Sequence, residues 1–88
     1  RLSHQTIHIG VLENPQALIH ELKQYSWVEN CEIIPDSNQI NVNFTGNLED
    51  SANLLRSLIS AGLPITEFHT SREDLETIFL KLGHQQAS

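Results

Sequence analysis

A chain of 88 residues, 39% hydrophobic and 18% charged, has room for one globular domain with a modest core and little room for a second. Five Lys and Arg against eleven Asp and Glu give a formal net charge of -6, too few cations to neutralise the phosphates on which nucleic-acid affinity rests or to hold an anionic membrane surface. The single cysteine, Cys31, excludes an intrachain disulfide and any CxxC metal or redox site, so reducing cytosol is the simplest compartment.

Residues 5 to 12, "QTIHIGVL", alternate, with Ile7, Ile9 and Val11 on one face and Thr6, His8 and Gly10 on the other: a half-buried strand. "ENPQ" then opens a helix, with Asn14 as N-cap and Pro15 at the first helical position, where its missing N–H costs nothing. Pro15, Leu18, Ile19, Leu22 and Tyr25 form its apolar stripe, while Gln16, His20, Lys23 and Gln24 face away.

"WVENCEIIP" reads as a second strand, but placing Val28, Cys31 and Ile33 inward requires an irregularity near Glu29 and Asn30. A polar turn, "PDSN", joins it to "QINVNFT", the most regular strand, with Ile40, Val42 and Phe44 inward and Gln39, Asn41, Asn43 and Thr45 outward. The second helix, "GNLEDSANLLRSLISAGLP", takes Asn47 as its cap and Glu49 and Asp50 in its first turn, where the helix dipole favours anions. Leu48, Ala52, Leu55, Leu58 and Ile59 are its expected inward stripe, and Gly62 with Pro64 ends it. "LPITEFH" is a short fourth strand whose inward face stays open, because Ile65 and Phe68 have opposite parity. A last helix, "SREDLETIFLKLG", carries Leu75, Ile78, Phe79 and Leu82 at helical spacing, with a capping box from Thr70 and Glu73 or from Ser71 and Asp74. Gross burial of that stripe against the sheet is worth on the order of 6 to 12 kcal/mol before entropy.

The order strand, helix, strand, strand, helix, strand predicts an α+β domain on the ferredoxin-like split βαβ plan, with strand order 4-1-3-2, both long helices on one face and an additional C-terminal helix. The opposite sheet face is expected to be polar, unless that last helix covers part of it. His4 and His8 stand about 13 Å apart along their strand, too far to share an ion. His8 and His69 become neighbours in this order, yet they lack an obvious third ligand, so the histidines read as solvated surface groups and no metal site is assigned. The carboxylates sit in helix first turns or on exposed strand faces, and no catalytic residue is assigned; the sequence holds no Gly-rich phosphate loop or nucleophile elbow. The outward residues of the strands offer no aromatic platform for bases. Tyr25 and Trp27 read as core-edge packing rather than interface anchors.

The wording of the final stripe is more specific than its periodicity. "DLETIFLKLG" resembles the "SLEDVFLxLTG" ending common to ATP-binding subunits of bacterial ABC transporters, especially exporters of drugs and polysaccharides. Leu75-Glu76, Phe79-Leu80 and Leu82-Gly83 stand at the matching positions, and "LLRSLISAGLPITEF" is similar to the family's "LLRxLxxxGxxVxxx" lead-in. Asp74 replaces the usual Ser and Thr77 an acidic residue, and the Pro often found before the motif is absent. The resemblance runs most clearly from Leu54 to Gly83. It implies a non-catalytic C-terminal accessory domain, regulatory or architectural, with the phosphate loop, ATP and Mg held by an ATPase core elsewhere in the same chain. The implied partners are that core, a second copy of the subunit and a membrane-spanning permease, with no nucleic acid, at the cytoplasmic face of the membrane.

The chain begins "RLSHQ" and has no methionine. Residues 1–88 are accordingly read as a single domain cut from a longer subunit, with 1–4 and 84–88 flexible. On a helical wheel Leu80 lies nearly opposite the Leu75, Ile78, Phe79 and Leu82 stripe, which marks it as a second contact, to the ATPase core or another copy. The rival readings are a small-molecule-sensing regulatory domain, with its ligand near Gly10 and the first helix, and a plain dimerisation module.

Overall fold

The computed structural model describes residues 4–72. Four strands, β1 (Gln5–Val11), β2 (Val28–Ile33), β3 (Gln39–Phe44) and β4 (Ile65–Arg72), and two helices, α1 (Pro15–Leu22) and α2 (Leu48–Ser60), follow one another as β1-α1-β2-β3-α2-β4. The result is an α+β fold whose strands form one antiparallel sheet in the order β2-β3-β1-β4, the expected order read from the other edge. The last helix, with Leu75, Glu76, Phe79, Leu80 and Leu82, lies outside the described residues.

The period-two pattern of β1 and β3 places Ile7, Ile9, Val11, Ile40, Val42 and Phe44 on one face, where they meet Leu18 and Leu22 of α1 and Leu54 and Leu58 of α2 in one core. Ile19, Tyr25, Val28, Cys31 and Ile33 pack at its margin. The irregularity expected in β2 is present: Val28 pairs with Phe44 and Asn30 with Asn43, so the register slips at Glu29. An equivalent slip answers the parity question in β4. Val11 pairs with Ile65 but Gly10 with Glu67, and the extra residue lets Ile65 and Phe68 both reach the core margin.

Asn14 and Asn47 cap the helices as their positions required. Asn14 does so from left-handed backbone (φ 59), a region Asn tolerates better than most residues, and its side chain accepts from Ala17 N. Asn47 and Asp50 form a reciprocal capping box, and α2 ends with the Gly62 N–H bonded to the Ile59 carbonyl.

Two expectations fail. Of the stripe expected on α2 only Leu58 is buried, beside Ser51 and Leu54, whereas Leu48 and Ile59 are each 58% exposed, Ala52 is exposed and Leu55 half-buried. A polar residue was not expected inward, but the Ser51 hydroxyl donates to the Leu48 carbonyl at 2.7 Å and so enters the core satisfied. Thr70 and Ser71, expected to cap a helix, are instead ladder residues of β4, paired with Ile7 and Thr6. Continuing the pairing with β1 satisfies more backbone groups than ending the strand at His69 would.

Candidate functional site

With both helices on one face of the sheet, its other face is left open among the described residues, and the register fixes what stands there. Glu32, Asn41, His8 and His69 form one row across β2, β3, β1 and β4, and Asn30, Asn43, Thr6 and Ser71 form the next. Their alternation with the core residues sends all eight outward.

The imidazole rings of His8 and His69 stack with centroids 6.0 Å apart and planes 20° from parallel. His8 Nδ1 lies 2.5 Å from Asn41 Oδ1, where an Nδ1–H donates to the amide oxygen. The sequence-derived strand order thus brings two histidines together. Among the described residues no group of three or more His, Cys, Asp and Glu gathers that could hold a metal ion. His4 stands apart from the pair, 3.8 Å from Glu29, and both partners are about half exposed, which makes their contact energetically minor.

A third row is closed by a glycine. Gln39 Nε2 donates to Glu67 Oε1 at 3.3 Å, linking β3 to β4 above Gly10 of the intervening β1. A methyl group at Gly10 would lie 2.9 Å from Thr66 Oγ1 and 3.1 Å from Glu67 Cβ. On the sheet side Gly10 is thus closely approached by the side chains of Thr66 and Glu67. Near the start of α1, Leu12 N–H donates to the Pro64 carbonyl, and the Asn14 side chain takes the N–H of Ala17.

One depression of about 450 Å³ opens beside β2, lined by Lys23, Val28, Glu29, Asn30 and Cys31. Burial pushes the Cys31 thiol above its ordinary value, and the neighbouring Lys23 charge offsets only part of that rise. The group is held as a thiol, the less nucleophilic form. Beside it, Tyr25 donates from its hydroxyl to Glu21 Oε2 at 3.0 Å, and Trp27, partly exposed, tilts over Phe44 with centroids 6.2 Å apart. Both aromatics pack at the core edge, as expected.

The open face can thus exchange hydrogen bonds through amides, hydroxyls and imidazoles. It presents Glu32 and Glu67, and the His8–His69 pair supplies its aromatic rings, with no Phe, Tyr or Trp on the outward positions described. Sequence reasoning missed the Gln39–Glu67 link and the buried Gln5. The shared parity of Gln5 with Ile7 and Ile9 was the available signal for the latter. Among the described residues no helix is long and apolar enough to cross a membrane. Comparison with known proteins gives no matching family model, no matching curated sequence and no matching solved structure.

Proposed function

We propose that this chain is the C-terminal accessory domain of the ATP-binding subunit of a bacterial ABC export system, built on the ferredoxin-like split βαβ plan with an added C-terminal helix. The observation that carries the reading is the run "DLETIFLKLG" preceded by "LLRSLISAGLPITEF". The lead-in spans the second half of α2, the Gly62 turn and the start of β4. A helix after β1 and another after β3, with strands in the order β2-β3-β1-β4, support the plan.

In this reading the domain does no chemistry itself. ATP and Mg belong to the ATPase core of the same subunit, and the domain braces the subunit dimer or tunes hydrolysis and its coupling to the permease at the cytoplasmic face of the membrane. Leu80, set apart from the Leu75, Ile78, Phe79 and Leu82 stripe, is the residue assigned to that outward contact.

The test is removal of the domain from the full-length subunit, followed by ATP hydrolysis, export and dimerisation measurements. A changed rate or a weakened dimer supports the reading, and three unchanged readouts overturn it. Leu80→Asp supplies the finer test: it is expected to leave the melting temperature of the isolated domain unchanged while impairing the full-length subunit. An equal loss of stability in the isolated domain refutes the role given to Leu80.

A further inference from the structure

Leu48, Ala52, Leu55 and Ile59 recur at i, i+4, i+7 and i+11, and on a wheel advancing 100° per residue they fall within roughly 60° of one another. The core takes a different strip of α2, so this one is left exposed, with Leu48 and Ile59 each at 58%. Its direction is fixed by Ser57, whose side chain lies close enough to the Tyr25 hydroxyl, beyond the end of α1, to act on its ionisation, and which stands roughly 170° round the same wheel. The apolar strip therefore points away from α1, along the flank of α2 on the side of the edge strand β4. Two large aliphatic side chains in line with a third, half-buried one make a continuous apolar surface about 16 Å long.

The path of the chain says what covers it. Arg72, the last residue of β4, pairs with Gln5, and Gln5 bonds the carbonyl of Gly46, which directly precedes the Asn47 cap of α2. The chain thus leaves the sheet at the Leu48 end of the strip. Residues 73–88 follow, and within them Leu75, Ile78, Phe79 and Leu82 make an apolar stripe about 10 Å long as a helix. The other surfaces fit that stripe poorly: the core face of the sheet is filled by α1 and α2, and the open face carries Thr6, His8, Asn41 and Asn43.

We infer that residues 73–88 dock through Leu75, Ile78, Phe79 and Leu82 along the outer flank of α2, on Leu48, Ala52, Leu55 and Ile59. The helix then runs beside α2, starting near Leu48, and α2 is enclosed by the sheet beneath it and the C-terminal segment at its side. This inference does not depend on the transporter reading.

The test is a double-mutant cycle in the full 88-residue chain, with Leu48→Ser/Ile59→Ser as one change and Leu75→Ser/Phe79→Ser as the other. Each is expected to lower the melting temperature by about 5 to 10 °C, and the combination to lower it by little more than either alone. Additive losses overturn the docking, as does no loss from Leu48→Ser/Ile59→Ser. A second measurement reads proximity directly: in a Cys31→Ala background, Leu48→Cys with Leu75→Cys should form an intramolecular cross-link with a short bismaleimide at low protein concentration. Cross-linking only between molecules, or a concentration-dependent dimer abolished by Leu48→Ser/Ile59→Ser, assigns the flank to a second copy and overturns the inference.

Discussion

The Gln5 side chain donates from Nε2 to the Gly46 carbonyl at 2.6 Å, tying the first residue of β1 to the loop before α2 across 41 positions of sequence. Gln5 is only 3% exposed, so the two polar groups satisfy each other where water scarcely reaches. Replacing Gln5 with Leu keeps the volume and strands the carbonyl. The expected loss is about 1 to 3 kcal/mol of folding stability, read from the urea midpoint. A neutral result would mean that the carbonyl finds water.

The same loop has no space for a side chain at its glycine. A methyl group at Gly46 would lie 2.6 Å from Asp50 Cβ and 2.7 Å from Phe44 Cε2, the second of these in the core. Gly46→Ala should therefore cost about 2 to 3 kcal/mol, since either the α2 cap or the Phe44 ring must move. Gly10→Ala meets chiefly the Thr66 hydroxyl, a group able to turn away, and should cost less than Gly46→Ala. Chemical denaturation of the two variants side by side checks the order, and a larger loss at Gly10 would contradict it.

These sites show where reading the sequence stops. The alternation of Ile7, Ile9, Val11, Ile40, Val42 and Phe44 is a local pattern, and it placed the sheet face and, through the crossovers, the strand order. The β2 bulge was legible because Val28 and Cys31 have conflicting parity. The β4 bulge left the same kind of conflict, between Ile65 and Phe68, but resolving it needed the pairing with Gly10 and Val11. On α2 hydrophobicity pointed, Leu58 apart, to the wrong strip. Leu48 and Ile59 look more buriable than Ser51, yet Ser51 bonds its own helix and is small enough to sit against the sheet. On the open face, the His8–His69 neighbourhood followed from strand order alone, while the Gln39–Glu67 link depended on side-chain geometry that no spacing encodes.

The cap of α2 can be taken apart as a unit. Asn47 Oδ1 accepts from Asp50 N at 2.8 Å, and Asp50 Oδ2 accepts from Asn47 N at 2.9 Å. Asn47→Ala should cost about 1 kcal/mol. Adding Asp50→Ala should cost less than the sum of the single losses, because each residue helps fix the geometry the other needs. Thermal melts of the two single variants and the double variant measure this coupling, and strict additivity would show that the two bonds act independently.

Alkaline pH should weaken the fold through two groups beside α1. The Cys31 thiol is raised above its ordinary 9.0, chiefly by burial, with Lys23 acting in the opposite direction. The Tyr25 hydroxyl is raised above its ordinary 10.0, first by burial and then by the bond and charge of Glu21, with Ser57 opposing. For each acid the folded state keeps its proton to higher pH than the unfolded chain does. Below the ordinary value both states are protonated, and the stabilisation is fully present. As pH rises beyond it the unfolded chain binds fewer protons, so stability falls until the folded-state group also ionises. Urea midpoints taken from about pH 8 to about pH 11 should accordingly hold steady at first, begin to fall near the ordinary value of Cys31 and steepen near that of Tyr25. Cys31→Ala should remove the earlier part of the decline and Tyr25→Phe the later part. A Tyr25→Phe profile parallel to the parent's above pH 10.0 would show that its hydroxyl ionises alike in both states.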